Sequence, residues 1–126
     1  MQTIAYICLY VSSVPESVRF YHDALGLKPV SESEDPETSY FFAFETGSTV
    51  LALERNGSKK NGLKTKSENP FLLQLKANSI EELEAMNKRL EKHGVKLMDR
   101  SKETNYGTIT NFCDPDGNKL EIIFQK

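Results

Sequence analysis

Three side chains that could bind a ligand or take part in a reaction occur at every second position of the first apolar segment. A fourth lies near the other end of the chain. Tyr6, Cys8 and Tyr10 are two residues apart in a β-branched, aromatic and apolar run, so a strand places them on one face. Glu121 lies in a similar run. Rings, hydroxyls and a carboxylate suit a flat, partly apolar ligand with a polar or cationic group. The same tyrosines could instead fill a core, with Glu121 hydrogen-bonded to one of them.

The cysteines and histidines form no motif typical of catalysis or metal binding. Cys8 and Cys113 lie in strand-like runs without a Cys or His neighbour at zinc-ligand spacing. We interpret both as core or cavity-wall residues. His22 and His93 fall in helical segments, and we expect both to be exposed to solvent.

The composition favours a globular domain that handles small molecules. The chain of 126 residues, 38% hydrophobic and 27% charged, is long enough for one domain with a modest core. A net charge of -2 gives no positive field for nucleic acid. No apolar run approaches the roughly 20 residues of a membrane helix, and the N-terminal residues lack a signal-peptide pattern. We therefore expect a cytoplasmic protein without a nucleic-acid or membrane partner.

The apolar patterns predict a β-α-β-β-β order that occurs twice. Caps at Ser12-Ser13 and at Ser79, and glycines at Gly26 and Gly94, delimit two amphipathic helices, the first about three turns long. The first strand is expected to be packed on both faces. The expected strands cover residues 3–11, about 29, 39–45 and 49–54 in the first half, and 70–76, 95–98, 107–113 and 119–124 in the second.

The two halves also align as an internal repeat. Ser13-Val14-Pro15-Glu16 matches Ser79-Ile80-Glu81-Glu82, and Leu25-Gly26 matches His93-Gly94. A repeat whose helix covers one sheet face must bury the other face elsewhere, and the second half is its natural partner. We predict one α+β domain over residues 1–126, in which two βαβββ modules with curved mixed sheets enclose a cleft. The expected divisions are module 1 at about 1–56, a polar linker at about 57–68, and module 2 at about 69–126.

Several short motifs occur in a characteristic order. They are Val11-Ser12-Ser13-Val14 after the first strand, Phe20-Tyr21 before Leu25-Gly26-Leu27, and Gly107 to Phe112 leading into Asp114-Pro115-Asp116-Gly117-Asn118 and Leu120-Glu121. Asp-Pro-Asp-Gly alone is a generic turn sequence. Together, the motifs resemble the vicinal oxygen chelate superfamily of glyoxalases, bleomycin-resistance proteins and extradiol dioxygenases. The resemblance covers nearly the whole chain and implies paired βαβββ modules, a site in the cleft, and a homodimer.

The resemblance also indicates where metal ligands would lie. Metal-dependent members use four ligands, because the first strand and the last strand of each module supply one ligand each. In this chain the four positions fall on Tyr6, on Ala52 or Leu51, on Pro70 or an apolar neighbour, and on Glu121. One carboxylate does not hold a divalent ion tightly. We therefore expect no metal and no other cofactor.

A displaced metal site stays open as an alternative. Glu54 and Gln74 share the expected inward parity with Ala52 and Pro70. A divalent ion held by Glu54, Gln74 and Glu121 is thus the one metal site that the sequence allows.

Two functions follow from this interpretation. The first is a metal-independent binding protein whose small organic ligand stacks on Tyr6 and Tyr10 beside Glu121, with Cys8, Glu54 and Gln74 as further ligand-binding residues. The second is an enzyme of the lyase, isomerase or dioxygenase kind, similar to lactoylglutathione lyase. In that enzyme Glu121 is the catalytic base or a ligand of the non-standard metal site. A purely structural role is a third possibility.

Overall fold

The computed structural model describes residues 2–30, 35–39, 41–55 and 71–126. The chain divides into two compact units, Met1–Leu63 and Lys64–Lys126. The boundary falls inside the predicted linker 57–68, which itself lies outside the described residues.

The first unit contains a four-stranded mixed sheet and one helical segment among its described residues. Its elements are β1 (Tyr6–Val11), α1 (Val14–Val18) continued by a π-helical turn (Arg19–Ala24), β2 (Lys28–Pro29), β3 (Phe41–Thr46) and β4 (Thr49–Arg55). The strand order is β1-β4-β3-β2. β1 pairs with β4 in parallel, whereas the β4–β3 and β3–β2 pairs are antiparallel.

The first helix begins and packs as its sequence predicts. The Ser13 side chain accepts a hydrogen bond from the Glu16 N–H, which satisfies a donor that the helix itself leaves free. Tyr21 is buried, and its ring lies 6.2 Å from that of Phe44 on β3. This contact identifies the face of the sheet that the helix covers.

The second unit repeats the same order in its described residues. Its elements are β5 (Leu72–Lys76), α2 (Ile80–Lys92), β6 (Asp99–Thr104), β7 (Gly107–Cys113) and β8 (Lys119–Phe124). The strand order is β5-β8-β7-β6, with β5 and β8 parallel and the other pairs antiparallel. The predicted pair of βαβββ modules is confirmed.

The internal repeat is confirmed at both ends of the helices. Ser79 accepts a hydrogen bond from the Glu82 N–H, as Ser13 does from Glu16. Gly26 and Gly94 both have positive φ, at 87° and 80°. Glycine takes this left-handed conformation without steric cost, so both helices end in the same way.

One strand differs from the sequence prediction. The apolar run 95–98 is not a strand, and β6 instead covers the polar residues Asp99–Thr104 that follow it. β6 is at the sheet edge, where one side of the strand has no neighbouring strand and charged side chains are common. The prediction was wrong because it assigned the strand by apolar content.

A polar network joins β6 to α2. Ser101 has a φ of 49°, at a register shift between Asp99 and Lys102. Its hydroxyl accepts from Asn87 Nδ2 at 2.8 Å and donates to the Glu84 carboxylate. Arg100 forms ion pairs with Glu84 and Glu91, each at 3.0 Å. The bulge therefore turns the hydroxyl of an edge strand onto the helix.

The motif Asp114-Pro115-Asp116-Gly117-Asn118 has a structural role. Asp114 is buried, and its carboxylate accepts hydrogen bonds from the N–H groups of Asp116 and Asn118 and from the Asn118 side chain. Gly117 has a φ of 86°. These contacts fix the turn between β7 and β8, and so fix their register.

The polar network predicts an acid dependence of stability. The Ser101 hydroxyl, followed by Arg100, lowers the pKa of Glu84 below its ordinary 4.5 and outweighs the effect of partial burial. A lowered folded-state pKa gives stability that is present above 4.5 and is lost as the pH falls through the folded value. We expect Glu84→Gln to destabilise the protein near neutral pH by at most about 1 kcal/mol, since the group is solvent-exposed.

Urea unfolding from neutral pH to about pH 3 measures this effect. The difference between the wild type and Glu84→Gln should shrink on the acid side. Glu103→Gln, at an exposed position of β6, is the control. A Glu84→Gln difference that stays constant over the whole range would contradict the prediction.

Candidate functional site

The helix-free face of each sheet, defined as the face opposite the helix of its own unit, carries the candidate residues. In the second unit, Thr110 Oγ1 accepts from the Ser101 N–H, and Ser101 is bonded to Asn87 of α2. Thr110 and its register partner Ile122 therefore face the helix. Asn111 and Glu121, each one residue away, face the opposite side.

Four polar side chains form a row across the helix-free face of the second unit, here called the Glu121 row. They are Gln74 on β5, Glu121 on β8, Asn111 on β7 and Asp99 on β6, each in register with the next. Gln74 Nε2 donates to Glu121 Oε1 at 2.7 Å. Asn111 Nδ2 donates to Asp99 Oδ2, and the Asp99 N–H donates to Asn111 Oδ1, both at 3.1 Å. The row consists of two hydrogen-bonded pairs, side by side.

Glu121 is a buried carboxylate with little compensation from the protein. It is 5% exposed. Within the part of the chain that the structure describes, Gln74 is its one hydrogen-bond partner and no ion pair reaches it. A buried charge is costly unless it is paired or well hydrogen-bonded. Such a group suits a site where a ligand supplies the missing partner.

The helix-free face of the first unit is aromatic and exposed. Since Phe44 contacts Tyr21 of the helical segment, β4 and β1 residues in register with it also face the helix. Tyr6, Cys8 and Tyr10 therefore lie on the other face. Tyr6 is 55% exposed, Tyr10 is 59% exposed, and Cys8 is also exposed. These exposures correct the expectation that β1 is packed on both faces, and they exclude a core position for Cys8.

Glu54 lies on the same face between two aromatic side chains. It is the register partner of Tyr10 on β1 and of Phe41 on β3. Glu54 is half-buried, and Phe41 is 44% exposed. We call these three residues the Glu54 row. The residues predicted to bind ligand thus fall into two groups: Tyr6, Cys8, Tyr10 and Glu54 in the first unit, and Gln74 and Glu121 in the second.

Within each group the structure brings the predicted residues together. Gln74 and Glu121 are hydrogen-bonded, and Tyr10 and Glu54 are neighbours on paired strands. The predicted cleft that would unite the two groups stays a prediction. Cys113 is half-buried. His22 and His93 are exposed on the helices, as expected.

Comparison with known proteins identifies the family. Residues 3–122 match the Glyoxalase/Bleomycin resistance protein/Dioxygenase superfamily. The chain belongs to this superfamily. It is also 33% identical over 125 residues to the uncharacterized protein YraH of Bacillus subtilis (strain 168), with 92% of this chain and 93% of YraH covered.

Solved structures of the superfamily have the same fold. A glyoxylase/bleomycin resistance protein/dioxygenase domain from Frankia sp. EAN1pec superposes with a TM-score of 0.81 at 22% identity, covering 100% of this chain and 99% of that one. TnmS3, an antibiotic binding protein from Streptomyces sp. CB03234, gives 0.73 at 20% identity, covering 100% and 98%. The predicted two-module α+β fold is therefore confirmed.

The residues at the superfamily's metal positions do not fit a divalent ion. Ala52 and Leu51 have no ligating side chain, and Tyr6 is a phenol where histidine or glutamine is usual. Pro70 lies outside the described residues. In the ranges that the structure describes, no three His, Cys, Asp or Glu side chains are grouped as a metal site requires. Glu121 alone keeps the usual donor type.

A surface depression of about 570 Å³ lies elsewhere on the second unit. It is lined by the turn between β6 and β7 and by the end of β8, with Tyr106 and Phe124 among its residues. On β7 its nearest residue, Thr108, is three residues from Asn111, or about 10 Å along the strand. It holds neither Glu121 nor Gln74, so it is not the candidate site.

Three residues of the two rows were missed in the sequence. Asn111 and Asp99 sit beside Glu121 only because β7 and β6 pair in this register, and β6 itself was misplaced. Phe41 joins Glu54 through the β3–β4 hairpin. The strands predicted at 39–45 and 49–54 are separated by three residues, a length typical of a hairpin loop. The register of such a hairpin could have indicated the contact.

The Gln74–Glu121 hydrogen bond predicts a strong coupling between the two residues. Gln74→Ala leaves the buried carboxylate without this donor and should destabilise the wild type by about 1–3 kcal/mol. In a Glu121→Leu background, Gln74→Ala should cost close to nothing. Urea denaturation of the four proteins measures the coupling.

Leu72→Ala is the matched control, because Leu72 is uncharged and lies two residues before Gln74 on the same face of β5. Its cost should be equal in both backgrounds. Equal costs of Gln74→Ala in both backgrounds would show that the hydrogen bond does not stabilise the carboxylate.

Proposed function

We propose that this protein binds a small organic molecule against the helix-free faces of its sheets, without a divalent metal ion. The observation that carries the proposal is Glu121, a nearly buried carboxylate on such a face whose one described hydrogen bond comes from the neutral amide of Gln74. An amide leaves the negative charge uncompensated. A ligand with a hydrogen-bond donor would compensate it.

The exposed aromatic side chains support the same proposal. Tyr6 and Tyr10 present rings and hydroxyls to solvent on the helix-free face of the first unit. Large exposed aromatic groups that lie close together are typical of ligand or partner surfaces. TnmS3, which has the same fold, is an antibiotic binding protein. A second copy of this chain is a further proposed partner, and we propose the cytoplasm as its location.

No helix in the described residues is long and apolar enough to cross a membrane.

A thermal-shift screen of small organic molecules tests the proposal. A compound at about 100 times its Kd stabilises the native state by about 2.7 kcal/mol, which raises Tm by roughly 10 °C in a chain of this size. The shift should be lost in Tyr6→Ala and Glu121→Ala. Tyr106→Ala is the control, because Tyr106 is 56% exposed but lines the separate depression. Compounds that stabilise all four proteins equally would count against the site.

A metal-independent or metal-assisted enzyme is the second candidate. The second carboxylate oxygen of Glu121 has no partner in the described part of the chain. It is therefore able to take a proton from a bound carbon acid, as a lyase or isomerase requires. This reaction needs the same ligand contacts as binding, followed by a proton transfer.

Metal analysis of protein purified without chelator separates the metal-assisted enzyme from the two metal-free proposals. We expect well under one equivalent of Ni, Zn, Mn or Fe, because Ala52 and Leu51 supply no donor. The analysis should be repeated on Ala52→Glu, which restores a carboxylate at that position. Stoichiometric metal in the wild type, lost in Glu121→Ala, would overturn the metal-free proposal and favour the enzyme.

A further inference from the structure

The Glu54 row places a carboxylate between two exposed aromatic rings. Tyr10, Glu54 and Phe41 are in register on three neighbouring strands, with β4 in the middle. Tyr10 is 59% exposed and Phe41 is 44% exposed, so both rings can be reached from solvent. Side chains in register on one face stand side by side, roughly perpendicular to the sheet.

The strand spacing gives the width of this arrangement. Neighbouring strands are about 4.8 Å apart, so Tyr10 and Phe41 are attached about 10 Å apart with Glu54 midway. A positive group over Glu54 is then about 5 Å from either ring. Cations are attracted to aromatic faces within about 6 Å of the ring centre. One cation can thus contact both rings and the carboxylate.

In the part of the chain that the structure describes, no ion pair occupies the charge of Glu54. Within the described residues Glu54 has no ion pair and no hydrogen bond from a side chain. Arg55, the next residue, lies on the opposite face. Two other charged residues, Glu45 and Lys28, are in register with each other on this face. Glu45 pairs with Val50 on β4, which is four residues, or about 13 Å, from Glu54 along the strand.

The Glu121 row differs in this respect. Lys119 lies two residues before Glu121 on the same strand and face, and Lys76 and Lys102 occupy the adjacent row. Three lysines around two carboxylates give no net preference for a cation. The Glu54 row has no such lysine in register.

We propose that the Glu54 row binds an organic cation, namely an alkylated ammonium group carried by the ligand. Flanking rings favour a cation with an apolar surface over a small hydrated metal ion. This inference rests on the proposed function and specifies its ligand class. It assigns Phe41 and Glu54 as the residues that select the charge.

A titration followed by NMR of the isotope-labelled full chain tests the inference. The probe is choline chloride, compared with its uncharged carbon analogue dimethylbutanol at equal ionic strength. Choline should shift the backbone amides of β1, β3 and β4 around the row, and should bind at least about tenfold more tightly than the alcohol.

Three variants show whether the row itself is responsible. Glu54→Gln should weaken choline binding about tenfold or more, and Phe41→Leu about threefold. Glu45→Gln removes the same charge from the same face but lies outside the row, and should change binding less than twofold. The dispersion of the amide spectrum reports whether each variant is folded.

The inference is overturned if choline and the alcohol bind equally, if Glu45→Gln is as harmful as Glu54→Gln, or if the shifts map to other elements. Its failure is distinct from failure of the proposed function. If compounds from the thermal-shift screen stabilise the protein only when Glu121 is present, and equally well without Glu54, the proposed function stands and the organic-cation site is rejected. A screen without stabilising compounds, together with silent choline titrations, would remove both.

Discussion

The path of one helix across one sheet face determines where this protein can carry a site. In each unit the strands before and after the helix are parallel and lie at opposite edges of the sheet, with two strands between them. The helix must therefore cross the whole sheet on a single face. That face becomes the apolar core, in which Tyr21, Leu53 and Phe44 are fully buried. Side chains on the opposite face are left for other roles.

Elements bounded by strong local signals were predictable from the sequence. β7 and β8 begin and end at the predicted residues, because Gly107 and the Asp114 turn interrupt the apolar runs on either side. The helix starts were equally predictable, because Ser79 and the pair Ser12-Ser13 supply the side chains that cap them. β6 was not, since its residues are polar and it is held by pairing with β7 and by the Ser101 contacts to α2. β6 is therefore stabilised by tertiary contacts, and these cannot be read from the local sequence pattern.

The sequence predicted the faces of some residues in the two rows, but not the pairings between the strands that carry them. Alternation alone placed Gln74 and Glu121 on suitable faces, and the register of the parallel β5–β8 pair then made them hydrogen-bonded. Asn111 and Asp99 needed the register of β6, which the sequence did not supply. The exposure of Tyr6 and Tyr10 was also unforeseen. Apolar content indicates a strand, whereas the sheet order decides which of its faces is covered.

Small side chains lie between the tyrosines on the helix-free face of the first unit. Cys8, Ala52 and Ala43 are in register across β1, β4 and β3. They form a row between that of Tyr6 and that of Tyr10, which are about 13 Å apart along β1. The superfamily resemblance implies a metal ligand at Ala52 or Leu51, and neither side chain carries a donor atom. Ala52 is 0% exposed and Ala43 is 3% exposed, whereas Tyr6 and Tyr10 are 55% and 59% exposed. The accessible part of this face is therefore aromatic, and the position at which a metal ligand is expected is closed to solvent.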